Sequence, residues 1–163
     1  MPHRTRQMVA VVTVALGFVV ALAGSAQAQG NSSLGTWKLN LAKSSFDPGP
    51  PPKSHTRVYE AWEKDGIKAT FTIVGADGKT TLNSFTAHYD GKENKYVGSP
   101  EYDTILITRV DANTVDSTQK LSGKTVIQTR SVNSADGKTR TFTSNGTNLK
   151  GQKVHNVQVF DKQ

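Results

Sequence analysis

Gly35-Thr36-Trp37-Lys38-Leu39-Asn40-Leu41 alternates side chains of two kinds, with Trp37, Leu39 and Leu41 on one side and Lys38 and Asn40 on the other. A period of two belongs to an extended strand with one face turned to a core. The segment therefore predicts a half-buried opening strand whose tryptophan can plug one end of a closed sheet. The residues beyond it decide whether such a sheet exists.

From His55 onward the chain is punctuated by Asp65-Gly66, Asp77-Gly78, Asp90-Gly91 and Asp136-Gly137, with further glycine turns at Ser122-Gly123 and Lys150-Gly151. Aspartate and glycine tolerate the positive φ of tight hairpins, so these pairs between β-rich runs mark turns. The intervals predict strands over 56–63, 67–74, 80–89, 94–98, 104–110, 114–121, 125–132, 138–147 and 153–161, and leave no room for long helices. In the clearest of them Ile67, Ala69, Phe71 and Ile73 share the buried face. Leu82 and Phe85 fall on opposite faces of a regular strand, which suggests a bulge between them. Asn145-Gly146 lies inside a strand, where glycine marks a bulge or a barrel corner.

Between the opening strand and this series lies 42–54, with Asp47-Pro48-Gly49-Pro50-Pro51-Pro52. Prolines remove backbone donors and fix φ, so the stretch reads as a polyproline-like crossover and not as a helix or central strand. It is either a plain stiff connector or a cover over a barrel mouth, with Phe46 packed beneath. The fold class is all-β: an antiparallel up-and-down barrel of about 8 to 10 strands, with a β-sandwich as the alternative. Closure is favoured because it pairs the two edges of a meander, bringing the last strand, Val154 to Asp161, beside Trp37.

The amino-terminal residues carry Arg4 and Arg6 without an acid, an apolar run from Met8 to Ala23, and small residues ending Ala26-Gln27-Ala28. This is the pattern of a secretory signal over 1–28, cleaved after Ala28. A retained anchor is the rival, but the run is shorter than the roughly 20 residues a span requires. The expectation is a single domain over 29–163 in an exported protein, periplasmic or secreted. With no cysteine, its stability rests on burial and strand pairing. The net charge of +7 loses the two leader arginines, and the remaining lysines are scattered without interleaved aromatics. That excludes a nucleic-acid footprint, which needs clustered basic residues, and reads as a solvated surface.

Gly35-x-Trp37, the up-and-down meander and a last strand ending Val157-Gln158-Val159-Phe160-Asp161-Lys162 resemble the calycin superfamily of lipocalins, fatty-acid-binding proteins and avidins, and small exported bacterial lipocalin-like proteins. The resemblance implies a barrel that holds a small apolar ligand. The Arg-x-Tyr carboxylate clamp of fatty-acid-binding proteins would fall on Gln158 and Phe160, so it does not carry over. The helix pair those proteins insert after the first strand is replaced by the proline stretch.

Candidate ligand contacts are Phe71, Phe85 and Val126, with Gln119, Gln128 and Arg130 as polar groups inside an otherwise apolar lumen. The alternation of 114–121 and 125–132 also permits either strand to face the other way. Arg109, on the face of Ile105 and Ile107, is read chiefly as a cation stacked on Trp37, or else as a ligand contact at a mouth. His55, His88 and His155 form no local ligand pair and are read as surface or rim residues. His88, Tyr89 and Glu60 form the best local catalytic group, yet adjacent strand residues point to opposite faces, and no enzyme or cofactor is inferred. Tyr96 and Tyr102 flank a loop that is a lid, a protein-contact loop or packing over the barrel end. Two functions are compatible with these residues: a carrier with a lumen, or an interaction protein with a filled core acting through loops and basic surface.

Overall fold

A computed structural model describes residues 31–163; the expected signal segment lies outside the described residues. The opening alternation forms β1 (Gly35–Leu39). Leu41, expected beside Trp37 and Leu39, instead begins a single 3-10 turn (Leu41–Lys43) and is exposed. The cause is local. The Asn40 side chain accepts from the Lys43 amide, and the Ser44 hydroxyl donates to the Asn40 carbonyl at 2.7 Å, bending the chain out of the strand. A short β2 (Ser45–Asp47) comes next, inside the stretch read as a connector.

The remaining strands are β3 (Ser54–Trp62), β4 (Gly66–Val74), β5 (Thr80–His88), β6 (Asn94–Val97), β7 (Thr104–Arg109), β8 (Thr114–Leu121), β9 (Lys124–Asn133), β10 (Thr139–Thr147) and β11 (Lys153–Lys162). Each pairs antiparallel with its neighbour in sequence from β3 to β11, and β1 joins both ends of that series. Trp37, Lys38 and Leu39 face Lys162, Asp161 and Phe160 on one side, while Gly35 to Lys38 face Tyr59 to Thr56 on the other. The sheet is thereby a closed ten-strand antiparallel barrel and not a sandwich. β2 continues the line of β1 along β11, opposite His155 to Val157.

Turn chemistry agrees with the sequence. Asp65 and Ser122 adopt positive φ (62° and 50°), as do Gly78, Gly91, Gly123, Gly137 and Gly151. The bulge expected between Leu82 and Phe85 is not there, because β5 keeps an unbroken register with β4 from Thr80 to His88. Leu82 simply faces outward, 65% exposed, and Asn83 turns inward with Phe85 and Ala87. The bulge of the barrel lies on β9. Gln119 pairs with Ile127 and Lys120 with Thr125, leaving Val126 as the extra residue. Gly146, paired with Ile127 on the next strand, accommodates it: a Cβ there would collide with the Val126 carbonyl oxygen.

Trp37 closes one end. It is fully buried with Phe160, and its indole donates to the Ser33 carbonyl at 2.9 Å. The cation over its ring is Lys162, at 5.2 Å, and not Arg109. Lys162 is the direct cross-strand partner of Trp37 and therefore reaches it. Arg109 lies exposed at the same end, stacked 4.0 Å over Tyr89. Among the described residues no helix is long and apolar enough to cross a membrane.

Candidate functional site in the barrel lumen

Alternate residues along the successive strands from β3 to β11 face inward around a lumenal cavity of about 540 Å³, within the range of small-molecule sites. Its mouth is rimmed by Pro48, Pro50, Pro52, Gly75, Ala76, Glu101 and Asn148. The proline segment thus lies at a mouth, as one of its two readings held, with Phe46 lining the cavity beside it. The walls are aromatic. Around Phe71 stand the rings of Tyr59 (5.8 Å), Phe85 (5.9 Å), His55 (6.0 Å) and Tyr96 (6.3 Å), and Ile105, Ile107 and Val115 complete the apolar lining.

Into this apolar surround the barrel places two guanidinium groups. Arg57 stands on β3, its carbon Cζ 4.1 Å from the centre of the Phe142 ring, 4.8 Å from Phe160 and 4.9 Å from Phe71. Its Nη2 donates to Gln158 Oε1 at 3.2 Å and its Nη1 to the Tyr59 hydroxyl at 3.4 Å, while its buried Nε has no protein partner. Arg140 stands on β10, 4% exposed, with Cζ 4.7 Å from the Tyr59 ring and 4.9 Å from Phe142. Its Nη2 donates to Ser131 Oγ at 3.0 Å, and its Nε and Nη1 are buried without a protein partner. Burial pushes the Arg140 guanidinium below its ordinary range, and the nearby Arg57 and Arg109 push the same way against Tyr59 and Tyr89. Among the described residues no carboxylate forms an ion pair with either arginine. Glu101, the acid that lines the cavity, belongs to the rim.

Four other polar groups on the lining are His55, Gln119, Tyr96 and Tyr102. Burial, followed by repulsion from Arg57, holds His55 well below the usual imidazole range, so the ring is neutral at pH 7 and its Nε2 lacks a protein partner. Gln119 Oε1 is likewise buried and unmet. Burial also pushes the Tyr96 and Tyr102 phenols up, so both stay protonated.

Of the residues expected inside, Phe71, Phe85, Gln119 and Val126 line the cavity. Gln128 and Arg130 do not: both are exposed, and Arg130 makes a bidentate pair with Asp116, 2.8 Å for each bond, on the outer surface. The physical reason is the β9 bulge. Val126 starts the strand inward, but the extra residue flips the parity, so Ile127, Thr129 and Ser131 come after it into the lumen. Arg109 lies outside the lumen, at the closed end. His55, read as a surface or rim residue, is buried at 5% exposure. Tyr96 and Tyr102 pack edge to face at 4.8 Å over the lumen. The trio His88, Tyr89 and Glu60 is not brought together: Glu60 pairs with Lys68 at 3.1 Å, His88 lies 3.6 Å from Glu63, and the Tyr89 hydroxyl accepts from Asn31. Among the described residues no cluster of three His, Asp or Glu side chains is placed to hold a metal ion.

Sequence reasoning missed Arg57, Arg140 and His55. The signal was present in Thr139-Arg140-Thr141-Phe142-Thr143-Ser144, where threonines take the odd positions and Arg140 shares the face of Phe142. The same holds for His55, Arg57 and Tyr59 on β3. A charged side chain is by default assigned to water, and that default hid the alternation.

No protein-family model matches the chain, and no curated protein matches it. Among solved structures, a redesigned β-barrel is 13% identical, with a TM-score of 0.46 over 82% of this chain and 95% of that one. The zebrafish ileal bile acid-binding protein, solved in complex with cholic acid, is 14% identical, with a TM-score of 0.45 over 81% of this chain and 99% of that one.

Proposed function

We propose that the protein is a non-catalytic carrier that takes one small apolar or amphipathic molecule into its barrel lumen, and that it does so after export, with residues 1–28 removed. The observation that carries the reading is the cavity of about 540 Å³, walled by aromatic rings and open between the proline segment and the Glu101–Tyr102 loop. Such a volume suits a single small ligand, whose burial against Phe71, Phe85 and Tyr96 supplies the affinity. The cavity favours this reading over a filled-core protein that acts through its loops.

Native mass spectrometry of protein isolated without denaturation, together with titration of a neutral naphthylamine dye, tests it. We expect one equivalent of dye per chain, displaced by apolar ligands, with Trp37 and Trp62 fluorescence as an independent signal. Ser117→Trp, which projects an indole from the β8 wall into the lumen, should block uptake. A protein that retains no small molecule and takes up no dye would overturn the proposal.

A further inference from the structure

We propose that the lumenal ligand is an oxyanion-headed amphiphile, its head held by Arg57 and Arg140 and its apolar tail laid along Phe71 and Phe85 towards the proline-rimmed mouth. This rests on the carrier reading and specifies what the lumen takes.

The argument begins with the cost of two buried cations. Taking a guanidinium out of water is unfavourable unless a counter-charge and hydrogen bonds replace the solvent. Here Phe142 lies against both guanidiniums, so the cations are close enough to repel each other. Stacking on Phe71, Phe142, Phe160 and Tyr59 offsets part of the cost, because ring faces attract cations. Stacking, however, engages only the flat faces of the guanidinium. Its five N–H groups lie in the plane and need acceptors there. Arg140 finds one, Ser131, and leaves Nε and Nη1 unmet; Arg57 finds Gln158 and Tyr59 and leaves Nε unmet.

The unmet groups are N–H donors on positively charged side chains, which is the complement of a carboxylate or phosphate. Arginine binds such groups by parallel paired bonds, stronger than neutral ones. The Tyr59 hydroxyl accepts from Arg57 and keeps its own proton to donate to the same oxygens, whereas the Ser131 hydroxyl already donates to the Val115 carbonyl at 3.2 Å. Glu101, the one acid on the lining, belongs to the opposite, open end. The site is thus a basic, donor-rich base beneath an aromatic shaft, the polarity an anionic head with an apolar tail would fill.

The test is a matched-tail panel on the full exported protein: dodecanoate, dodecyl phosphate, dodecanol and dodecyltrimethylammonium, each below its micelle concentration, in competition with the neutral dye. We expect at least one anion to bind about tenfold or more tighter than dodecanol, the scale of one charge-assisted hydrogen bond, and the cation to bind weaker than dodecanol. Whichever anion wins identifies the head as carboxylate or phosphate. Arg57→Met and Arg140→Met should bring the anion-to-alcohol ratio close to one. Arg130→Gln, on the outer surface, should leave the ratio unchanged. Arg140→Met should also raise the melting temperature of ligand-free protein while removing the shift that the anion gives the wild type.

Equal binding of anions and dodecanol by the wild type would overturn the anion site and leave the carrier intact. Loss of the preference in Arg130→Gln would assign it to surface attraction and overturn the site as well. Binding of none of the four, nor of the dye, would remove the carrier itself. If a methionine variant fails to fold, the wild-type ratio and Arg130→Gln decide alone.

Discussion

His55 and Phe71 show how one side chain sets the properties of the lumen. The imidazole is buried between Phe71 and Phe160 and is favoured neutral by burial and by Arg57. Its folded pKa lies below the unfolded value near 6.5, so between the two the unfolded chain binds more protons. Its contribution to stability is therefore full above about pH 6.5 and declines as pH falls below it, by at most about 1.4 kcal/mol per pH unit. Urea melts at pH 7.5 to 5 should show a steeper loss for the wild type than for His55→Phe; parallel curves would contradict the assignment. Phe71 packs on four rings and one guanidinium, so Phe71→Ala should cost about 3 kcal/mol, the low end for a core phenylalanine because one side already borders a cavity. Chemical denaturation checks the value.

Elements add constraints that single residues do not express. The bulge at Val126 and the glycine at 146 are one device on neighbouring strands: the first pushes a carbonyl outward, and the second makes room for it. Gly146→Ala should cost at least about 2 kcal/mol, more than a glycine-to-alanine change in an open strand, because backbone must move. Thermal melts of the variant beside a Gly137→Ala control, where nothing lies within 4 Å of the added carbon, separate the clash from the positive-φ strain of a turn. The same device explains what the sequence hid. From β3 to β11 the strands and turns were legible within a residue or two, since Asp-Gly pairs and apolar alternation are local signals, whereas the short β2 beside the prolines was read as a connector. The inward face of β9 was not, because an inserted residue reverses every later position without changing composition. Leu82 misled in the opposite direction: an apolar residue on an outer face suggested an irregularity where the strand is regular.

For the molecule as a whole, closure is the decisive contact. Trp37, Lys38 and Leu39 meet Lys162, Asp161 and Phe160, and Phe160 is itself fully buried against His55 and Phe142. Deleting residues 160–163 should therefore do more than shorten a strand. It exposes the edges of β1 and β11 and uncovers Trp37, so we expect loss of cooperative melting, red-shifted tryptophan emission and concentration-dependent association by light scattering. A truncated protein that stays monomeric with native near-ultraviolet circular dichroism would show that the seam is dispensable. That closed sheet was readable in the sequence because a meander with a tryptophan at its start has an obvious partner for its last strand. The cavity it encloses was one of two interiors the sequence allowed, and the arginine expected in it, Arg130, is not one of the two that stand there, Arg57 and Arg140.

The seam between β11 and the paired segments β1 and β2 also imposes a timetable. Of the earliest-made strands, β1 finds one of its two partners and β2 its sole partner in the last-made strand, so neither can complete its pairing until Lys153 to Lys162 have emerged. Closure is consequently a late step, slow in the manner of high-contact-order β proteins, and until it comes the edges of the sheet stay unpaired.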